Sequence, residues 1–232
     1  VVNDELVDAL LSLLRRGDRS EELRGRAAIS LGPVLEQADI DGFENPDELQ
    51  IAERTFQVIQ ESLARLYRDA EVPKEVRRRI LEASVRAPQD WHRDAIRAAY
   101  SSDDDVWRLT AVFCMRFVRG FDEQILEALD SRDPDIHREA VLAAGNWQVD
   151  AAWSHVTALV TSGGTDKPLL LAAIDATASI RPHEAAEVLE ALAGSEDEDI
   201  VAAADEAMAM AERSSGENED HELDDDDDDA LR

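Results

Sequence analysis

The sequence predicts an all-α chain: a right-handed α-α solenoid of about six stacked helical pairs over residues 1–213, followed by a disordered acidic tail over residues 214–232. Three observations point there. Apolar residues recur at helical spacing nearly everywhere, no segment shows the strict alternation of a half-buried strand, and one short pattern returns about every thirty residues.

At the start, Leu6, Leu10, Leu13 and Leu14 follow the i, i+4, i+7, i+8 spacing that places side chains on one helical face. SEELRGRAAISLG at 20–32 continues the pattern. DIDGFENPDELQ at 39–50 reads as a long loop leading into an extended helix that ends near Arg68. From there the repeat is regular. Taking the aliphatic residue after each turn as anchor, Val76, Val106, Ile136, Leu169 and Ile200 are separated by 30, 30, 33 and 31 residues, with Leu23 as the earlier member. Asp103, Asp133, Asp166 and Asp197 lie three positions ahead of the last four, where a carboxylate can accept hydrogen bonds from the free N–H groups of a helix start. Seven positions after each anchor stand Ser30, Ala83, Phe113, Ala143, Ala176 and Ala207, mostly small enough for helices to approach closely. DEQILEAL at 122–129 and AAEVLEAL at 185–192 supply a first helix to two of these pairs, and Gly163-Gly164 and Asp133-Pro134 punctuate the boundaries. A pair of short helices cannot bury both its faces alone, so the pairs must stack.

The chain has 232 residues, 44% hydrophobic and 33% charged, enough apolar content for a sizeable core. Its longest strongly apolar stretch, Pro168 to Ile174, is far short of the roughly 20 residues a bilayer crossing needs, and no basic leader precedes the apolar residues of VVNDELVDALLSLLRR; a cytoplasmic protein is expected. Cys114 is the only cysteine and lies between Phe113 and Met115, which excludes an internal disulfide and predicts a buried thiol. The formal net charge is −29, and of the 24 basic residues only Lys74 and Lys167 are lysines. Abundant carboxylates with almost no lysine match the habit of salt-in halophiles, where a Debye length of about 3 Å in molar salt suppresses self-repulsion. An acidic face for a basic partner is the functional alternative. The tail, with six consecutive aspartates, serves solubility or folds onto a basic surface.

DPDIHREAVLAAG at 133–145, SEELRGRAAISLG at 20–32 and DDDVWRLTAV at 103–112 resemble the second helix of HEAT repeats, in the short form found in phycobilisome-lyase-like HEAT proteins, and the proteome habit above is that of haloarchaea. The resemblance implies second helices lining a concave, ligand-binding surface. It departs between Leu23 and Val76, which stand too far apart for the period, and in the fifth unit, where Leu170 and Leu171 replace the expected arginine. Two further functions are implied by relatives of this kind. A tetrapyrrole lyase or chaperone would need a catalytic set or a second cysteine, and a DNA-processing protein of the alkylpurine-glycosylase type would need a broad basic face.

No chemistry-bearing motif stands out. His92, His137, His155, His183 and His221 show no spacing of a transition-metal site, the aspartate run lacks the alternating ligands of a calcium loop, and SGGTDKP at 162–168 lacks the phosphate-loop frame. The chain is therefore expected to be neither an enzyme nor a holder of a cofactor or metal. Residues 74–120 run against the rest, with ten basic and seven acidic residues. Arg78, Arg108 and Arg138 fall two positions after their anchors and would form a column, either paired with the turn aspartates Asp103, Asp105, Asp133 and Asp135 of neighbouring units or open to an acidic partner. Trp107, Trp147 and Trp153 either fill seams or anchor an interface. The expected function is a protein-binding scaffold with Arg78, Trp107, Arg108, His137 and Arg138 as contacts. Neither a membrane, nucleic acid nor a small molecule is expected as its partner.

Overall fold

The structure, a computed structural model, describes residues 3–43 and 51–224, and side chains as far as 214. Twelve α-helices and no strand occur among the described residues. The chain divides into two compact units, Val1–Val118 and Arg119–Arg232.

In the first unit, α1 (Asp4–Arg15) pairs with α2 (Glu21–Asp41), α3 (Glu53–Arg68) with α4 (Lys74–Ser84), and α5 (Asp90–Tyr100) with α6 (Asp105–Met115). The second helices stack, α2 against α4 and α4 against α6. Val7, Leu11, Leu31, Ile59, Leu63 and Ile80 form the centre of its core. Helix α3 ends at Arg68 as expected, whereas α2 continues to Asp41 into the stretch expected to be loop, and stops at Gly42, whose φ of 64° suits a residue without a side chain. The rest of the expected loop, 44–50, lies outside the described residues.

The second unit repeats the arrangement with α7 (Asp122–Leu129) and α8 (Pro134–Asn146), α9 (Trp153–Thr161) and α10 (Lys167–Ile180), and α11 (Pro182–Leu189) and α12 (Glu198–Asp224). Here α8 packs on α10 and α10 on α12. Helix α12 carries its backbone past Ser214, where the acidic tail was expected to begin, as far as Asp224; residues 225–232 lie outside the described residues.

The helix starts follow local chemistry. Asn3, Ser20, Asp104, Asp133 and Asp166 each accept a hydrogen bond from a backbone N–H of the first turn, a cap that stabilises by about 1 kcal/mol. Asp104 stands where Asp103 was expected. Helix α6 therefore begins one residue later than the thirty-residue count implies, and its register shifts by one. Trp107, rather than Val106, occupies the position of Ile136 three residues after the cap, and Val106 is left 49% exposed. Leu23, the anchor of α2, is also 40% exposed; beside it Arg24 is buried and donates its Nε–H to the Leu14 carbonyl at 2.9 Å, satisfying an end of α1. Cys114 is buried, as its apolar neighbours predict.

The small residues seven positions after the anchors do what close packing needs. A Cβ added to Gly145 on α8 would stand 2.9 Å from the Ala176 Cα and 3.0 Å from its Cβ on α10. At the matching place in the first unit, a Cβ on Gly32 of α2 would stand 3.4 Å from the Ala83 Cα of α4 and 2.9 Å from Arg86 Cδ. Replacing Gly145 by Ala should lower stability by about 1 kcal/mol or more in a denaturant titration, because overpacking at about 1–3 kcal/mol outweighs the helix propensity gained. Gly17, with no atom within 4 Å of an added Cβ, should tolerate the same change to within about 0.5 kcal/mol.

A buried histidine closes the start of α5. The N–H of Gln89 donates to His92 Nδ1 at 2.8 Å, so the ring proton sits on Nε2 and points to Ser84 Oγ at 2.9 Å. Burial pushes the His92 pKa down to about 4. An imidazole held below its unfolded value of about 6.5 supports the fold when neutral, so its contribution is complete above pH ~6.5 and is lost as pH falls toward ~4. Over that window His92 should remove up to about 3 kcal/mol from the stability of the wild type. Denaturation midpoints measured against pH should fall less steeply for His92→Gln.

Candidate partner-binding surfaces

The first unit carries a groove along its stacked second helices. Gly25 on α2 lets Arg79 of α4 lie against its backbone, an added Cβ falling 3.1 Å from Arg79 Cγ. Glu21, Glu22, Arg26 and Ile29 from α2 and Glu75 and Arg79 from α4 enclose an open concavity of about 620 Å³. Its wall mixes both signs of charge with an exposed aliphatic residue, Ile29. The Arg26–Glu22 pair at 2.7 Å is exposed at both ends and so adds little to stability.

Of the arginine column, Arg78 is turned inward. Its side chain is only 7% exposed, and its guanidinium donates twice to Glu75 (2.9 and 2.6 Å), to Glu82, and to Thr110 Oγ1 at 3.0 Å on α6. Thr110 in turn donates to Glu82 at 2.7 Å, while Arg79 bridges Glu75 (3.0 Å) and Glu82 (2.9 Å) from the groove side. Two guanidiniums, two carboxylates and a hydroxyl thus tie α4 to α6. The hydrogen bonds from Arg78 hold the Glu75 carboxyl below the usual carboxylate range. Little of Arg78 is left to meet a partner, and the residue that opens to the groove is Arg79.

Trp107 and Arg108 lie half-buried on α6. Arg108 reaches Asp105 at 3.8 Å and the Ser102 carbonyl at 3.4 Å. In the second unit, Arg138 on α8 reaches Asp135 at 3.4 Å and Glu139 at 3.5 Å. The three arginines thus meet acids of their own helices, where turn aspartates of neighbouring units had been expected. The one-residue shift of α6 also breaks the column, since Leu109, not Arg108, matches Arg78 and Arg138 in register. Trp147 lies under Arg119 (4.9 Å) and Trp153 under Arg181 (5.2 Å), each as the face of a cation–π contact. Arg181 also grips Asp150 with two hydrogen bonds, at 2.7 and 3.1 Å.

His137, singled out on α8, meets His155 of α9, which was not: their Nε2 atoms stand 2.8 Å apart. Burial first, and then His155, pull the His137 pKa below its ordinary value, while Asp130 and Asp166 pull the other way. A separation of eighteen residues along the chain carries no pattern that could have revealed the pair.

No protein-family model matches the chain, and no curated protein matches it. Solved structures do. A designed armadillo repeat protein superposes with a TM-score of 0.52 at 15% identity, over 88% of this chain and 99% of its own. An engineered protein gives 0.50 at 20% identity, over 89% of this chain and 96% of its own. A second engineered protein gives 0.50 at 20% identity, over 90% of this chain and 58% of its own. At these identities the likeness shows the fold: the chain is a helical-repeat protein. Among the described residues, no helix is long and apolar enough to cross a membrane.

The different burial of the arginines should separate them on mutation. Arg78→Met should cost about 3 kcal/mol, because it removes the buried cation that faces Glu75 and Glu82 and leaves Glu82 with only Arg79 and Thr110, whereas Arg108→Ala should change stability by no more than about 0.5 kcal/mol. Guanidinium chloride titrations of the two variants in the same KCl concentration measure the contrast.

Proposed function

We propose that the chain is a non-enzymatic scaffold of HEAT-like repeats that binds a protein partner through the exposed faces of its second helices. The α2–α4 groove is the observation that carries this reading: an open concavity of about 620 Å³ built from stacked helices and lined by paired charges and the exposed Ile29. Such a surface suits an extended or helical peptide segment, whose apolar residue would cover Ile29 while its charges exchange partners with the Arg26–Glu22 pair. Trp107 and Arg108 extend the same unit's contact surface, and His137 and Arg138 are the corresponding contacts of the second unit. Tryptophan and arginine are the side chains that most often dominate binding energy. On this reading Arg78 acts through the fold rather than by touching the partner.

The formal net charge of −29 belongs to the same proposal as an adaptation to a salt-rich cytoplasm of the haloarchaeal kind, in which binding must survive extensive screening. That favours recognition by apolar and hydrogen-bonded contacts over long-range steering. Nucleic acid suits such a surface poorly, because its binding depends on phosphate neutralisation that molar salt weakens.

The test is affinity capture from lysate in about 2 M KCl, where exposed ion pairs are largely screened, with nuclease treatment in parallel. Wild type should retain a stoichiometric protein partner that Ile29→Asp with Arg26→Ala loses, and that Trp107→Ala with Arg108→Ala weakens. Equal capture by all three proteins would remove the second-helix faces of the first unit from the interaction, and a nuclease-sensitive catch would overturn the protein-partner reading.

A further inference from the structure

We propose that His137 and His155 form a two-imidazole site for a divalent transition metal, with copper(II) or nickel(II) the best fit. His137 lies in the first turns of α8 and His155 near the start of α9, and both helices belong to the second unit, where α8 and α9 each pack on α10. The two rings meet edge to face at 74°, with centroids 5.0 Å apart and Nε2 atoms converging to 2.8 Å.

Two ring nitrogens this close cannot both carry a proton. One ring donates its Nε2–H to the lone pair of the other, so the neutral pair holds one proton between two nitrogens. A metal ion needs both lone pairs free and aimed at one point. With metal–nitrogen distances of about 2.0–2.1 Å, two ligands at right angles on one ion stand about 2.9 Å apart, and two at the tetrahedral angle about 3.4 Å. The observed separation is close to the right-angled value, which is the preference of copper(II) and nickel(II) for tetragonal nitrogen and oxygen coordination; with the ring centroids 5.0 Å apart the two nitrogens face each other nearly head-on, so each ring turns by roughly 25–30° to aim its lone pair at a shared ion. Binding requires the donor ring to move its proton from Nε2 to Nδ1, a change of tautomer that leaves both imidazoles neutral and releases no proton when both start neutral.

Both rings are half-buried, which leaves room for water or an incoming donor at the remaining positions. Among the described residues no three metal-ligating side chains converge, so the protein supplies two ligands and leaves the ion open. An open two-ligand site discriminates by the intrinsic order of affinities, which places copper(II) first and zinc behind it.

The experiment uses the full chain without any histidine tag, at about pH 7.5 where unperturbed imidazole is mostly neutral, and one equivalent of copper(II). The many carboxylates offer oxygen ligands, so the deciding readout is the ligand atom. Electron paramagnetic resonance should show coupling to two imidazole nitrogens, and nickel(II) should compete. His137→Gln and His155→Gln should each lose one nitrogen coupling and weaken copper binding about tenfold or more, since the second ligand otherwise binds intramolecularly. His183→Gln, an exposed histidine of the same unit, should leave both readouts unchanged. An oxygen-only spectrum of the wild type, which needs no variant to interpret, would overturn the proposal. So would wild-type affinity in both folded variants, or an equal loss in His183→Gln.

Discussion

The stacking of this molecule depends on places where one helix backbone meets the next with almost nothing between them. Gly145 on Ala176 in the second unit and Gly32 on Ala83 in the first unit hold the second helices closer than any pair of larger side chains would permit. Close approach lets the flanking Ile, Leu and Val side chains interdigitate, and burial of that apolar surface is the main force favouring the fold. A thirty-residue pair has too little surface to fold by itself. Its stability is borrowed from the neighbours on which those small residues allow it to settle.

Between α4 and α6 a polar network adds a second kind of tie. The meeting of α4 and α6 in the first unit is held by Arg78, Glu75, Glu82, Thr110 and Arg79, a network in which each buried charge has an opposite charge or a hydroxyl within hydrogen-bond distance. Such a network is a weak source of net stability, because desolvation offsets most of its attraction, but it is unforgiving of a missing member. It therefore sets the register of α6 against α4 more sharply than it strengthens their contact. That same helix is the one displaced by a residue from the count of the repeat, and the displacement converts Trp107 into the anchor and turns Val106 outward.

The charge of the chain and its fold are nearly independent. The carboxylates lie mainly in exposed turns and on outer faces, where they cap helices, as Asp104, Asp133 and Asp166 do, or pair with arginines of their own helix. Their collective repulsion is a matter for the solvent, and their local hydrogen bonds are a matter for the helix ends. This division is why an acidic chain of this kind can keep the same repeat fold as the designed armadillo protein at 15% identity.

The sequence by itself determined the helical class, the six pairs, most of the caps, the small residues at the crossings and the buried thiol, because each is a local rule: helical periodicity, a carboxylate before a helix start, a residue too small to hold helices apart. Only the tertiary structure decided the roles of individual polar side chains. Arg78, Arg108 and Arg138 read alike along the chain, yet Arg78 is sealed between α4 and α6 and the other two lie half-open, since burial depends on what the facing helix contributes. The pairing of His137 with His155, the groove between α2 and α4 and the shift of α6 were equally invisible. They arise from which residues the stacking brings face to face, and distance along the chain carries no record of distance in space.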